Sequence, residues 1–312
     1  MLNSTTGQSS FSPCDSPDEN SNGNGPFCYK HILSCATVIA ILSPVAVTGN
    51  FVVLATIWRK TFVRTQFHIL LSGLAFTDLC TGLIAQPLYA TASLMYIVRK
   101  DYDSTIGAID TTAASFAMYF IAITILLITL MSIERWLYMS RRSLVASCRC
   151  SLTVIIILII PIPSVVFRVL ANDKHSHSNN MRVAIIATII TCYLTTSFAY
   201  FKVYRIIRQH QQQVQANVAS HKYAQQAINL AKYKKSVTTM LTILALLSFC
   251  FIPFVVSSGI IVSLGQQTIE TYVAGSVSVV LLFLSSSLNP GLYLWKMDDI
   301  RRGVKQLLSG GT

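Results

Sequence analysis

With 312 residues, 53% of them apolar and only 12% charged, the chain carries too little polar surface for a soluble globule. Its formal net charge of +12 is spread along the borders of apolar runs instead of forming one basic patch. That points to anionic lipid headgroups as partners of the cations and excludes a nucleic-acid binder.

Residues 1–29 are polar and rich in Asn, Ser, Gly and Pro, the composition of a disordered tail. They lack a basic-then-apolar pattern, so no cleavable signal peptide is predicted and the first span is expected to act as its own insertion signal. Asn3-Ser4-Thr5 fits a glycosylation acceptor on a lumenal tail. Of the eight cysteines, Cys14 and Cys28 fall in this oxidising stretch, and both a Cys14–Cys28 bridge and free thiols fit the spacing.

Apolar stretches then recur at 32–58, 66–98, 111–133, 151–167, 183–201, 236–264 and 271–295, with Asp78 the one charge inside them. Each is near the ~20 residues an α-helix needs to cross about 30 Å of hydrocarbon. The pattern predicts an all-α membrane protein, a seven-transmembrane helix bundle over residues 30–296. Of the 24 Lys and Arg residues, only Lys30, Arg99, Lys100, Arg168, Lys174 and Arg182 fall on the side of the amino terminus. Cytoplasmic loops retain cations, so the amino terminus is expected outside and the carboxyl terminus inside, as suits a plasma-membrane protein. Residues 209–232 contain few helix breakers, so the fifth and sixth helices should extend beyond the bilayer. After Trp295, the apolar Ile300, Val304, Leu307 and Leu308 alternate with Arg301, Arg302 and Lys305. That predicts a short amphipathic cytoplasmic helix 8 over 297–308, lying on the inner leaflet, followed by a tail at 309–312.

The polar residues inside these spans are the candidates for function. Asp78 sits mid-span, where a charge costs on the order of 2.5–3.5 kcal/mol, so it needs partners in the bundle interior. Asn50 and Asn289 are natural ones, with Thr124, Ser285 and Ser286 as hydroxyl donors. Two readings fit: a site for a hydrated Na⁺, whose hardness suits carboxylate and hydroxyl oxygens, and a protonated carboxyl that merely hydrogen-bonds its neighbours. At the end of the third span, Glu134-Arg135-Trp136 fits an interface anchor with Trp136 in the aromatic belt. It also fits an arginine restrained by the adjacent acid in one state and released in another. Pro253 and Pro290 each free a backbone carbonyl and kink a helix, beside Phe251 in the sixth span and Tyr293 in the seventh. Metal-spaced His or Cys clusters, paired intramembrane acids and Gly-rich phosphate loops are missing from the sequence, so no enzyme is expected.

In order along the chain, Gly49-Asn50, Leu74-Ala75-Phe76-Thr77-Asp78, Glu134-Arg135-Trp136, Cys250-Phe251-Ile252-Pro253 and Asn289-Pro290-Gly291-Leu292-Tyr293 resemble the motifs of rhodopsin-like G protein-coupled receptors over roughly residues 32–308. The resemblance implies an extracellular ligand in the outer half of the bundle and a heterotrimeric G protein at the inner face, reached by outward movement of the sixth helix. It implies that Arg135 faces that cleft, supported by Tyr200 and Tyr293, and that Asp78, Thr124, Ser285 and Asn289 form the sodium site. The chain departs from the pattern in several places. Asp110 replaces the usual cysteine of the third helix, so the common disulfide cannot form. Phe251 replaces the usual tryptophan, and Tyr233 stands where some members carry an acid that pairs with the third-helix arginine. Glu134 is therefore the expected restraint on Arg135, and appreciable basal signalling is expected.

Ala117 and Phe283 occupy the places of the amine-receptor aspartate and the retinal lysine, so neither ligand class is expected. The chain loosely resembles the melanocortin, lysolipid, cannabinoid and adenosine receptor group. A mostly apolar pocket is expected near Gln86, Met118, Tyr119, Phe251 and Phe254. The rival readings are a seven-helix transporter or ion pathway using Asp78, and a ligandless partner of another receptor.

Overall fold

The computed structural model describes residues 24–59, 66–100, 103–140, 155–157, 176–216, 221–264 and 268–309. Among them there is no strand. The helices are α1 (Asn24–Ile57), α2 (Gln66–Cys80), a π-helical turn (Thr81–Ala85), α3 (Gln86–Arg99), α4 (Ser104–Met139), α5 (Ser176–Ala216), α6 (His221–Leu264), α7 (Ile269–Lys296) and α8 (Asp298–Leu308). Six helical stretches among the described residues are long and apolar enough to cross a membrane, with α2, the π turn and α3 forming one of them, Phe67–Arg99. Of the fourth expected span only residues 155–157 are described.

Helix boundaries differ from expectation at three places. α1 begins at Asn24, so residues 24–29, expected in the tail, are helical. α5 begins at Ser176, inside the stretch expected as the second outer loop. The second span is not one regular helix: Pro87 has no N–H for the Leu83 carbonyl, and the ladder widens ahead of it, the Gln86 N–H donating to the Thr81 carbonyl. The extension of the fifth and sixth helices past the apolar region is observed, to Ala216 and from His221.

Burial is inverted relative to a soluble protein. Ile41, Phe51, Leu194, Phe249 and Ile252 are each more than half exposed, whereas Asn50, Asp78, Gln86 and Asn289 are almost wholly buried. An apolar outside facing lipid and polar groups turned inward is what a bilayer demands. The apolar core beneath the polar layer joins Val53, Leu71, Leu127, Met131, Val203, Ile243, Leu247 and Tyr293, and continues into Ile300 and Val304 of α8. α8 is set off from α7 by the extended Met297. Its leading Asp298 and Asp299 suit the positive end of the helix dipole and pair with Arg301 at 2.7 Å and Arg302 at 2.8 Å.

At the opposite end, α1 packs onto the tips of α3 and α4 through Cys28, Ile32, Tyr96 and Ile106, with Tyr29 stacked on Tyr96 at 5.8 Å. Cys28 is disulfide-bonded. The other described cysteines, Cys35, Cys80, Cys192 and Cys250, are free, so its partner lies outside the described residues, as do Cys14 and Asn3. The α3–α4 turn is closed by Lys100 in the left-handed conformation (φ 54°), by an Arg99–Asp103 ion pair and by Asp103 capping α4.

Candidate functional site

Three helices meet at the polar layer, and Pro290 organises the meeting. Proline cannot donate to the carbonyl four residues back, which leaves Ser286 O without its helical partner. Asn50 of α1 supplies the donor: its Nδ2 reaches Ser286 O at 3.1 Å and Ala46 O at 2.8 Å. The neighbouring Gly49 permits that approach, since a Cβ there would stand 2.9 Å from Pro290 Cγ. Asn50 was expected to partner Asp78, and the structure corrects this. Its amide is committed to the carbonyl that the proline freed.

Asp78 is bonded instead across the bundle to Asn289, whose Nδ2 donates to Asp78 Oδ2 at 2.8 Å. Ser286 is a second side chain facing the carboxyl group. Ser285 turns its hydroxyl proton to Leu282 O at 2.6 Å, and Thr124 of α4 is buried. Three acceptor atoms, Asp78 Oδ1, Asn50 Oδ1 and Asn289 Oδ1, are buried without a hydrogen-bond partner. Buried orphan oxygens are costly unless water or a cation meets them. One carboxylate with amide and hydroxyl oxygens is the donor set that a hard monovalent cation accepts. The π turn lies directly above this layer and is pinned to α1, Ser43 Oγ donating to Gly82 O at 2.8 Å.

Nearer the α8 end, Glu134, Arg135 and Trp136 sit at the end of α4. The Glu134 carboxylate is 4.0 Å from Arg135 Nε, beyond hydrogen-bond reach. The Arg135 guanidinium lies instead over the Phe67 ring of α2, 4.2 Å from its centroid. The expected restraint of Arg135 by Glu134 is thus only a loose ion pair, because adjacent residues on a helix point to different sides. Phe67 was missed in the sequence because an aromatic residue at a span border reads as an interface anchor. Trp136 is packed edge-on against Phe198 of α5, ring centres 5.8 Å apart. Tyr200 and Tyr293 are buried, Tyr200 facing Ser132 and the Tyr293 hydroxyl lacking a hydrogen-bond partner. The side chain of Tyr233 lies outside the described residues. Pro253 sits inside α6, one turn from Phe249 on the exposed face.

Between the outer halves of α3, α4, α6 and α7 lies a cavity of about 340 Å³. Each helix contributes residues at i, i+3/i+4 and i+7/i+8: Tyr89, Ser93 and Tyr96 from α3; Asp110, Ala114 and Met118 from α4; Phe254, Ser257 and Ile261 from α6; Tyr272, Ser276 and Val279 from α7. Of the expected pocket residues, Met118 and Phe254 line it. Gln86 is wholly buried and donates to Phe283 O at 3.3 Å, and Tyr119 packs edge-on against Phe120. Phe251 lines a separate crevice of about 50 Å³ with Ile125, Cys192 and Leu247. The lining is also less apolar than expected, carrying one carboxylate and several hydroxyls.

The family model described as 7 transmembrane receptor (rhodopsin family) matches residues 49–293, from Gly49 at the α1–α7 contact to Tyr293. The chain belongs to the rhodopsin family of seven-transmembrane receptors. This receptor is also similar to the follicle-stimulating hormone receptor of Cairina moschata, at 31% identity over 103 residues. That stretch is 32% of this chain and 15% of the relative's length. Membership makes the chain a multi-pass membrane protein. Among the described residues no group of three or more His, Cys, Asp and Glu is placed to hold a metal ion.

Proposed function

We propose that the receptor binds an extracellular ligand in the outer cavity and activates a heterotrimeric G protein by outward movement of the cytoplasmic end of α6. The amino terminus lies outside the cell and the carboxyl terminus inside, following the cation bias of the loops. The observation that carries this reading is the state of Arg135. It lies at the inner end of α4 with its guanidinium over the Phe67 ring of α2, 4.2 Å from the centroid, a contact between two spans that a helix rearrangement changes. Pro253 weakens α6 in its outer third, so a small displacement at Phe254 in the cavity floor becomes a larger swing at the far helix end. In this reading Tyr200 of α5 and Tyr293 of α7, both buried, support Arg135 once Phe67 releases it.

The polar layer biases this two-state rearrangement. Na⁺ bound by Asp78 with the oxygens of Asn50, Asn289, Thr124 and Ser285 holds α1, α2, α4 and α7 together and favours the inactive arrangement. Basal signalling is part of the same reading, in which Glu134 stands 4.0 Å from Arg135 Nε and beyond hydrogen-bond reach. The test is guanine-nucleotide exchange on a panel of heterotrimeric G proteins by the full chain in nanodiscs without added ligand. Exchange above that of empty nanodiscs is expected with at least one G protein, and should be lost in Arg135→Ala. No exchange with any member of the panel would remove the reading.

A further inference from the structure

Small side chains meet where α4, α5 and α6 come together. Thr129 of α4, Cys192 and Thr196 of α5 and Ser248 of α6 leave between them the crevice of about 50 Å³, backed by Leu247 and Phe251 of α6, both buried. The hydroxyl protons are already used: Thr129 Oγ1 donates to Ile125 O at 2.8 Å, Ser248 Oγ to Leu244 O at 2.8 Å, and Thr196 Oγ1 to Thr129 Oγ1 at 3.3 Å. A water inside would find few partners where it needs two to four. The crevice opens on the outer surface of the bundle: Tyr193, which lines it, is 46% exposed, and Phe249, next to the lining Ser248, is 65% exposed. In the fourth span, residues 154–167 are Val, Ile, Leu, Pro and Phe with a single Ser, so any further wall from that span is apolar too. Side chains around an unfilled gap forfeit their contacts on that side.

We propose that this crevice takes the end of a lipid acyl chain from the surrounding bilayer, and that the chain ties α6 to α4 and α5. Hydrocarbon is what the mouth meets, because the outer faces of a membrane-spanning bundle stand in lipid. An apolar cavity of about 150 Å³ holds one benzene ring. A space of about a third of that size admits a chain's terminal methyl and methylene groups and excludes the fused rings of a sterol. Leu247 and Phe251, against which the chain end lies, precede Pro253 on the part of α6 that swings. Outward movement of that part draws its wall off the chain, so the occupant favours the arrangement in which Arg135 lies over Phe67. Only this bias rests on the receptor reading; the binding rests on the crevice itself.

The probe is a phosphatidylcholine with a diazirine at the end of one acyl chain, photolysed in nanodiscs that hold the full-length receptor, with the adducts mapped by peptide mass spectrometry. Ordinary lipid contact labels the exposed Leu194 and Phe249, whereas a chain end in the crevice also labels the buried Cys192 and Thr196. Cys192→Leu and Ser248→Leu fill the crevice from two different helices. Each should remove the Thr196 adduct and leave those on Leu194 and Phe249, while Cys192→Ala should keep all three. Labelling confined to the exposed residues, a Thr196 adduct that survives both filled variants, or Thr196 labelled by a photoreactive sterol in place of the chain would each overturn the site. Both filled variants should also lower basal nucleotide exchange, the added side chain acting as a permanent occupant. Exchange unchanged or raised in both would remove the bias on α6. Buried adducts without exchange on any G protein would remove the receptor reading and leave the lipid site, and exchange without buried adducts would do the reverse.

Discussion

The Arg135 guanidinium rests over the Phe67 ring at 4.2 Å from its centroid, while its Nε stands 4.0 Å from the Glu134 carboxylate. The ring contact joins two spans; the acid lies on the same helix as the arginine and joins none. Phe67→Leu is therefore expected to raise basal nucleotide exchange by roughly 2–5-fold, the equivalent of a partly exposed cation–π contact of about 0.5–1 kcal/mol. Phe67→Tyr should leave it unchanged. The measurement is exchange at matched surface expression. An unchanged Phe67→Leu alongside a full rise in Glu134→Gln would assign the restraint to the acid.

Asn50 and Pro290 act on one carbonyl, which makes their substitutions non-additive. Asn50→Ala leaves Ser286 O buried without a donor and should cost about 1–3 kcal/mol of stability. Pro290→Ala restores a backbone N–H to that same oxygen, so Asn50→Ala in that background should cost much less. A double-mutant cycle on thermal unfolding in detergent measures the coupling. Additive costs would mean that the Asn50 amide answers some other need.

A cation at the Asp78 layer would make signalling depend on sodium. Raising NaCl at constant ionic strength, with choline as the replacing ion, should lower basal exchange in the unaltered receptor. Asp78→Asn should be flat across the same titration, because a neutral amide does not hold a hard cation as a carboxylate does. Parallel sodium curves for both proteins would sink the assignment, and ion flux lost in Asp78→Asn would favour a transport route.

Asp103 gives the outer end of α4 a pH dependence. Its carboxylate accepts from the Ile106 N–H at 2.8 Å and pairs with Arg99, and these contacts, the backbone one first, hold it below the usual carboxylate range. A depressed folded pKa means that the cap contributes fully above pH ~4, the unfolded value, and is lost as pH falls through the lower folded value. Exchange protection of the Ile106 amide should drop over that acidic interval and be insensitive to pH in Asp103→Ala. Protection that stays constant in the unaltered protein would contradict the assignment.

The number and order of the apolar spans, the amphipathic α8 and the motif residues of the polar layer are properties of local sequence. Bilayer thickness sets span length, helical periodicity exposes α8, and Asp78 or Pro290 stands out because lipid tolerates neither a stray charge nor a missing donor. What each polar group bonds to is not local. Asn50 was assigned to Asp78 and in fact serves Ser286, 236 residues away, because only the packing of α1 on α7, permitted by Gly49, brings amide and freed carbonyl together. Phe67 and Asp110 were legible as residue types, yet neither had a place in the bundle until helix rotation set one ring beneath Arg135 and one carboxylate into the outer cavity. Side-chain direction on a helix turns about 100° per residue, so a small change in rotation, such as the π turn at Thr81–Ala85 introduces, decides which residues face each other. That decision belongs to the tertiary structure.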